Sequence, residues 1–238
     1  SSLKTINGRT SGSITLNNTG IALEDNLSGI LTAIDGTFTN STYTGSITIN
    51  DNSGTLSASD LSTVGGFTSN TVTVSNAITI SGSVSQLTAA LVTDNTKVSA
   101  GSAVVTVNDA AFGDGSNNTT TASINASALS AIGGKTSGAV TVSSAVKIVG
   151  SQAQVTGALV TTGTLVSAGS AVVTINDAAF GNGQNGTTTA SINASALSAI
   201  GGKTSGAVTV SSAVKIVGST SQVTGALVTT STLVEAAT

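Results

Sequence analysis

The residues in this chain best able to do chemistry are its ten carboxylates: Glu24, Asp25, Asp35, Asp51, Asp60, Asp94, Asp109, Asp114, Asp177 and Glu235. A hydrolase that works with paired carboxylates needs two of them facing each other at a defined separation. Only Glu24 and Asp25 are adjacent here, and the others are scattered, so they read as solvated turn residues. Asn50-Asp51, Asn108-Asp109 and Asn176-Asp177 recur at equivalent places, and the last two are followed by the Gly/Asn-rich loops GDGSNN and GNGQNG. Hard oxygen donors on glycine turns are what calcium loops use. The calcium nonapeptide, however, needs aspartate in tandem register. Asp114 becomes Asn182 in the next copy, which favours Asx turns over calcium.

Lys135 and Lys203 stand in the phrase IGGKTSG, with Arg9 at the matching place in a diverged copy and Phe67 in another. The phrase resembles a phosphate loop only superficially. A true one needs four residues between its first glycine and Gly-Lys, and a helix after Lys-Thr, whereas strand-like residues follow Thr136. The TVT at 71–73 and the TTT at 119–121 and 187–189 do not form the flat Thr-x-Thr face that ice binding requires, because AVTV, AVKI and TASI alternate instead. Sequons at Asn17, Asn26, Asn40, Asn117, Asn118, Asn125, Asn185 and Asn193 are what a chain so rich in Ser, Thr and Asn produces by chance. No catalytic, cofactor-binding or metal-ligating residue is assigned.

Composition narrows the classes further. Ser and Thr make up 78 of 238 residues, 7% are charged, 2% are aromatic, and His, Cys, Pro, Met and Trp are absent. That leaves no imidazole base, no thiol nucleophile and no disulfide framework. Seven Lys and Arg against ten acidic residues give no basic footprint for nucleic acid. Apolar residues at 39% argue for a folded chain. No apolar run approaches the roughly 18–20 residues of a membrane span, so none is expected. The chain opens without Met inside a running pattern, as a mature or excised piece would.

The elements that must position these residues come as repeats. Residues 98–165 and 166–233 align without a gap and differ at seven of 68 positions: 107/175, 114/182, 116/184, 118/186, 152/220, 153/221 and 163/231. Upstream the copy lacks a ten-residue insert after Asn50-Asp51. Repeat units are read at about 1–63 (diverged), 64–131, 132–199 and 200–238 (partial), in one continuous array. Short β-branched runs at 139–142, 145–149, 164–166, 171–175 and 189–192 read as strands. ASALSAI (194–200) and SQVTGAL (221–227) space Ala and Leu at three and four, as one helical turn or a tight corner would. The expectation is an all-β fold, a parallel β-solenoid built from 68-residue repeats, with tandem small β-sandwich domains as the alternative.

The phrases LSAIGGKTSGAVTV, VKIVGSQAQVTGALV and VSAGSAVVTINDAA resemble the Thr/Ala/Val-rich repeats of large bacterial extracellular surface proteins of the cyanobacterial type, and of fibre proteins. The resemblance implies secretion, no enzymatic activity and a place in a surface layer, stalk or filament. The expected function is therefore a non-enzymatic extracellular structural protein forming a stiff rod or filament by self-association. A carbohydrate-binding adhesin or phage tail-fibre segment is the alternative. The expected partners are other copies of the chain and cell-surface glycans. No cofactor is expected, calcium being the only one the loops raise.

Overall fold

Val140-Thr-Val142 and Val72-Thr-Val74 each put two valines inside and one threonine out, the period-2 pattern of a half-buried strand. Between such strands lie Ala- and Leu-bearing stretches that begin with a capping residue. Ser83, Ser151 and Ser219 each accept a hydrogen bond from the main-chain N–H of a glutamine three residues on, and that glutamine's side chain returns the bond. This reciprocal capping box satisfies two orphan donors at a helix start. After Ser151 and Ser219 the result is a helix of eight residues, where the sequence alone leaves a corner equally open.

The computed structural model describes residues 2–39, 43–94, 98–164, 166–232 and 234–236. Two compact units are present, one of residues 1–107 with 134–139, the other of 108–133 with 140–238. The first contains α1 (Ser2–Asn7), β1 (Leu23–Asp25), α2 (Leu27–Ile34), β2 (Ile47–Ile49), β3 (Thr55–Ser57), α3 (Ala58–Phe67), β4 (Val72–Val74), β5 (Thr79–Gly82), α4 (Val84–Leu87), a π-helical turn at Thr88–Val92, β6 (Val98–Ser99) and β7 (Val104–Val107). The second contains β8 (Ile124–Asn125), α5 (Ala126–Gly133), β9 (Val140–Val142), β10 (Lys147–Gly150), α6 (Gln152–Leu159), β11 (Val166–Ser167), β12 (Val172–Ile175), β13 (Ile192–Asn193), α7 (Ala194–Gly201), β14 (Val208–Val210), β15 (Ile216–Val217), α8 (Thr220–Leu227) and β16 (Val234–Ala236).

This is a mixed α/β protein, 29% helical and 24% strand, and it corrects the all-β expectation. It is not a β-solenoid, because a capped helix returns the chain between strands. Nor is it a row of β-sandwiches, which are antiparallel, since the strands of the described residues pair in parallel. In the first unit β1-β2-β4-β6 form one run of parallel strands and β3-β5-β7 another. In the second, β8-β10-β12-β14-β16 form a five-stranded sheet, with β9-β11 and β13-β15 as pairs.

Register shows what the ten-residue insert does. Ile148 pairs with Val173 after an ordinary pass of the chain, but Val173 pairs with Val208 after a pass ten residues longer. The extra length forms a loop closed by the parallel bridge between Phe180 and Thr188, and then β13, which starts a new row rather than joining the old one. The insert is a sheet-founding device.

The core follows from the alternation. Ile47, Ile49, Ile80 and Leu87 are fully buried in the first unit, and Ile148, Ile175, Leu197 and Ile200 in the second. Each contributes roughly 1.5–3 kcal/mol of transfer free energy. Helix and strand approach closely because small residues meet: a Cβ at Gly150 would lie 2.9 Å from the Ala126 side chain, and one at Gly218 would lie 2.9 Å from that of Ala194.

Candidate functional site

The carboxylates that the sequence offers as chemistry are tied to the scaffold. One oxygen of Asp51 accepts a 2.6 Å hydrogen bond from the main-chain N–H of Leu27, the first residue of α2. Asp177 does the same 25 residues from its partner, accepting from Gln152 N–H at the start of α6, also at 2.6 Å. A carboxylate at a helix N-terminus meets both an unsatisfied donor and the positive end of the helix dipole. The Asn-Asp phrase thus reaches back to cap the helix of the preceding pass. Sequence reasoning missed this role, because the partner is local in space and distant in the chain. Asp177→Ala should cost about 1–2 kcal/mol of stability, read as a lower urea midpoint with an unchanged slope, and Asp177→Asn should cost less.

The Gly/Asn loops are built from Asx turns. Oδ1 of Asp114 accepts from the N–H of Ser116 at 2.9 Å and from its hydroxyl at 2.5 Å. The Ser116 hydroxyl and N–H hold the Asp114 carboxyl below the usual carboxylate value. In the next copy Asn182 accepts from Gln184 N–H at 3.0 Å, so the same turn survives loss of the charge. Asn117, Asn118 and Asn185 adopt left-handed backbone at φ 50°, 62° and 53°. That conformation is one asparagine tolerates better than most residues. Among the described residues no group of three or more metal-competent side chains comes together.

In the two copies of IGGKTSG the helix ends rather than begins. Gly133 closes α5 and Gly201 closes α7, so each following lysine sits exposed in a helix-terminal turn with β9 or β14 beyond. The working residue of the phrase is its threonine. Thr136 Oγ1 donates to the Ala103 carbonyl at 2.5 Å and accepts from Gly138 N–H at 2.9 Å, and Thr204 does the same with Ala171 and Gly206 at 2.5 and 3.0 Å. Thr68 repeats it on the Gly45 carbonyl at 2.6 Å. Arg9 is exposed. Phe67, which stands where the lysine does elsewhere, packs on Phe38 and Tyr43 with ring centroids 5.4 and 5.2 Å away. No protein-family model, curated protein or solved structure matches the chain.

The remaining candidates are also structural or peripheral. Glu24 and Asp25 lie on β1, an edge strand. Thr71 and Thr73 are exposed around buried Val72, but Thr73 is flanked in register by Thr48 and Ser99, so the threonine row is short. The threonines at 119–121 and 187–189 belong to the insert loops, where Thr120 and Thr188 form the closing bridges. Three sequon asparagines use their side chains locally: Asn26 accepts from Gly29 N–H, Asn125 from Ser127 and Asn193 from Ser195. Asn40 lies outside the described residues. Each insert loop also supplies a phenylalanine that lies under a lysine from a strand further on, Phe112 under Lys147 at the start of β10 at 5.0 Å and Phe180 under Lys215 just before β15 at 5.2 Å. Such pairs contribute about 0.5–1 kcal/mol where solvent reaches them.

Among the described residues no helix is long and apolar enough to cross a membrane. Two cavities among the described residues are open to solvent and unequipped for catalysis. One of about 530 Å³ lies against α2 and α3, lined by Leu31, Ile34, Thr63 and Phe67 with Asp35 beside them. Another of about 390 Å³ is lined by Leu91, Val98, Asp94 and Lys135. Neither brings together a nucleophile, a base and an oxyanion donor.

Proposed function

We propose that this chain is a non-enzymatic structural repeat segment of an extracellular surface, and that its work is assembly: copies associate into an extended polymer. The observation that carries this reading is the use of the polar groups. Asp51 and Asp177 cap the helix of a neighbouring pass, and Thr68, Thr136 and Thr204 tie turns across passes. Catalysis needs such groups presented to a substrate with shifted proton affinity. Here the threonines hold one repeat to the next at equivalent places, and Asp51 and Asp177 hold one pass of the chain to the next.

A carbohydrate-binding segment is the second reading. It draws on the repeated half-exposed phenylalanines of the insert loops, but a lysine already covers one face of each ring. Assembly is tested by sedimentation velocity and electron microscopy of the purified 238-residue chain. Species that grow with concentration are expected. A strictly monomeric boundary at high concentration, with sugar-dependent shifts on a glycan array, would replace assembly by carbohydrate binding.

A further inference from the structure

The insert loops GDGSNN and GNGQNG are near copies, and one of their differences changes what the loop can do. Where the first has Asp114-Gly115, the second has Asn182-Gly183. An asparagine followed by glycine is a reactive pair, because the next main-chain nitrogen can attack the side-chain amide carbon and glycine puts no side chain in the way. The chain has three such bonds, Asn7-Gly8, Asn182-Gly183 and Asn185-Gly186.

Their surroundings separate them. At Asn7 both reactants are engaged: Gly8 N–H donates to the Lys4 carbonyl at 3.1 Å, and Asn7 Nδ2 donates to the Thr32 carbonyl at 2.7 Å. At Asn185 the turn stands in the way. Asn185 and Gly186 have left-handed backbone, φ 53° and 79°, and Thr187 N–H closes the turn on the Gln184 carbonyl at 3.0 Å. This is a type I′ turn, which directs the nitrogen after the asparagine away from the asparagine's own side chain. At Asn182 neither obstacle exists. Asn182 and Gly183 are exposed, and among the described residues the Gly183 N–H has no acceptor, whereas Gly115 N–H in the sister loop is held by Thr119 Oγ1 at 3.1 Å. The Asx turn folds the Asn182 side chain over the Gly183 peptide, and Gln184 N–H donates to its Oδ1 at 3.0 Å. That donor meets the oxygen on which negative charge develops when the amide carbon is attacked.

We propose that Asn182 is a site of self-modification, at which the Gly183 nitrogen displaces the side-chain amide as ammonia and water opens the resulting ring to leave aspartate or isoaspartate. In the first step the bond from Gly183 N to Asn182 Cγ forms and the Cγ–Nδ2 bond breaks. Nδ2 departs with the Gly183 proton as ammonia, and a five-membered succinimide closes. In the second step one water adds. Hydrolysis at Cγ restores the ordinary main chain with an aspartate, and hydrolysis at the main-chain carbonyl carbon routes the chain through the side chain. The aspartate product is the residue the sister loop already carries: Asp114 accepts from Ser116 N–H at 2.9 Å as Asn182 does from Gln184, so the turn receives the product without rearrangement. The isoaspartate product instead adds a main-chain carbon inside the loop that the Phe180–Thr188 bridge closes. Each event adds one negative charge to a chain of formal charge −3. The reaction is a property of the loop and proceeds whether or not the chain assembles.

The test uses the intact 238-residue chain, incubated at mildly alkaline pH in water labelled with heavy oxygen. Trypsin then releases residues 5–9 and 148–203, in which tandem mass spectrometry reads all three asparagines. In the folded chain Asn182 should convert first and carry one labelled oxygen, with Asn185 at least about threefold slower and Asn7 at least about tenfold slower. In concentrated urea the three rates should close to within about twofold, because the pairs then share one unfolded environment. No conversion at Asn182, or conversion of Asn185 or Asn7 ahead of it in the folded chain, would overturn the proposal. So would a lead of Asn182 that persists undiminished in urea, since the folded loop would then not be its cause.

Discussion

Leu159→Ala should lower the unfolding free energy by roughly 3 kcal/mol, whereas Leu227→Ala, in identical local sequence, should lower that of the monomer by about 1 kcal/mol or less. Both leucines end the phrase VTGAL, and both sit at the last residue of a two-turn helix. Intrinsic propensity, cap and local sequence are matched. What differs is the neighbour: Leu159 is enclosed by the helices on either side of α6, and Leu227 has lost one of those walls. Removing three carbons from an enclosed leucine forfeits transfer free energy and leaves a cavity, while a leucine open to solvent has less of either to lose. Equilibrium urea denaturation at dilute protein concentration reads both values. Equal losses at the two positions would mean that α7 does not cover α6 as described.

Gly201→Ala should destabilise by about 2–3 kcal/mol, although alanine is the better helix former by about 1 kcal/mol. Gly201 is the last residue of α7, and a Cβ there would collide with the Thr232 carbonyl group and its Cα. Gly133 stands in the same relation to Thr164. The obstacle is main chain, which cannot swing aside as a flexible side chain does, so relief requires the helix to move off the following turn. Gly163→Ala is the control. Nothing lies within 4 Å of the Cβ that would be added there, and the equivalent position carries Ser231. Thermal melts should separate the variants by several degrees, with Gly201→Ala and Gly133→Ala falling together and Gly163→Ala unmoved. A stabilised Gly201→Ala would show that the close approach to Thr232 is not maintained in solution.

The strands are legible in the sequence and the helices only partly. The runs at 139–142, 145–149, 171–175 and 189–192 contain or overlap β9, β10, β12 and β13, because β-branched alternation is a strong local pattern. The segments at 194–200 and 221–227 are helices of eight residues. Two turns are too short for apolar spacing to distinguish from a corner, and reading them as corners leads to the all-β error. For 221–227 the cue that separates the two is Ser-x-x-Gln, which recurs at 83–86, 151–154 and 219–222, where serine and glutamine exchange bonds with each other's main chain; the helix at 194–201 is capped instead by Asn193. The substitutions at 152 and 153 fall in the first turn of α6 and not in a loop. They are tolerated there because Ser151 and Gln154, which make the cap, are retained as Ser219 and Gln222.

The site is legible as a set of residues, and their roles are not. Asp51 and Asp177 stand out in sequence by recurrence, but a carboxylate that caps a helix from the following pass leaves no local trace, since donor and acceptor are about 25 residues apart. The GGKTSG phrase draws attention to its lysine, yet the buried group is the threonine one place later. The insert's length is visible in the alignment of repeats. Its consequence, a new strand row begun at β13, depends on register and emerges only in three dimensions.

Hydrogen–deuterium exchange of the 238-residue chain at low and high protein concentration tests assembly most directly. A set of surface amides should gain protection as concentration rises, while those of α6, packed within the chain between α5 and α7, should stay constant. Protection that is flat with concentration throughout the chain would contradict the account.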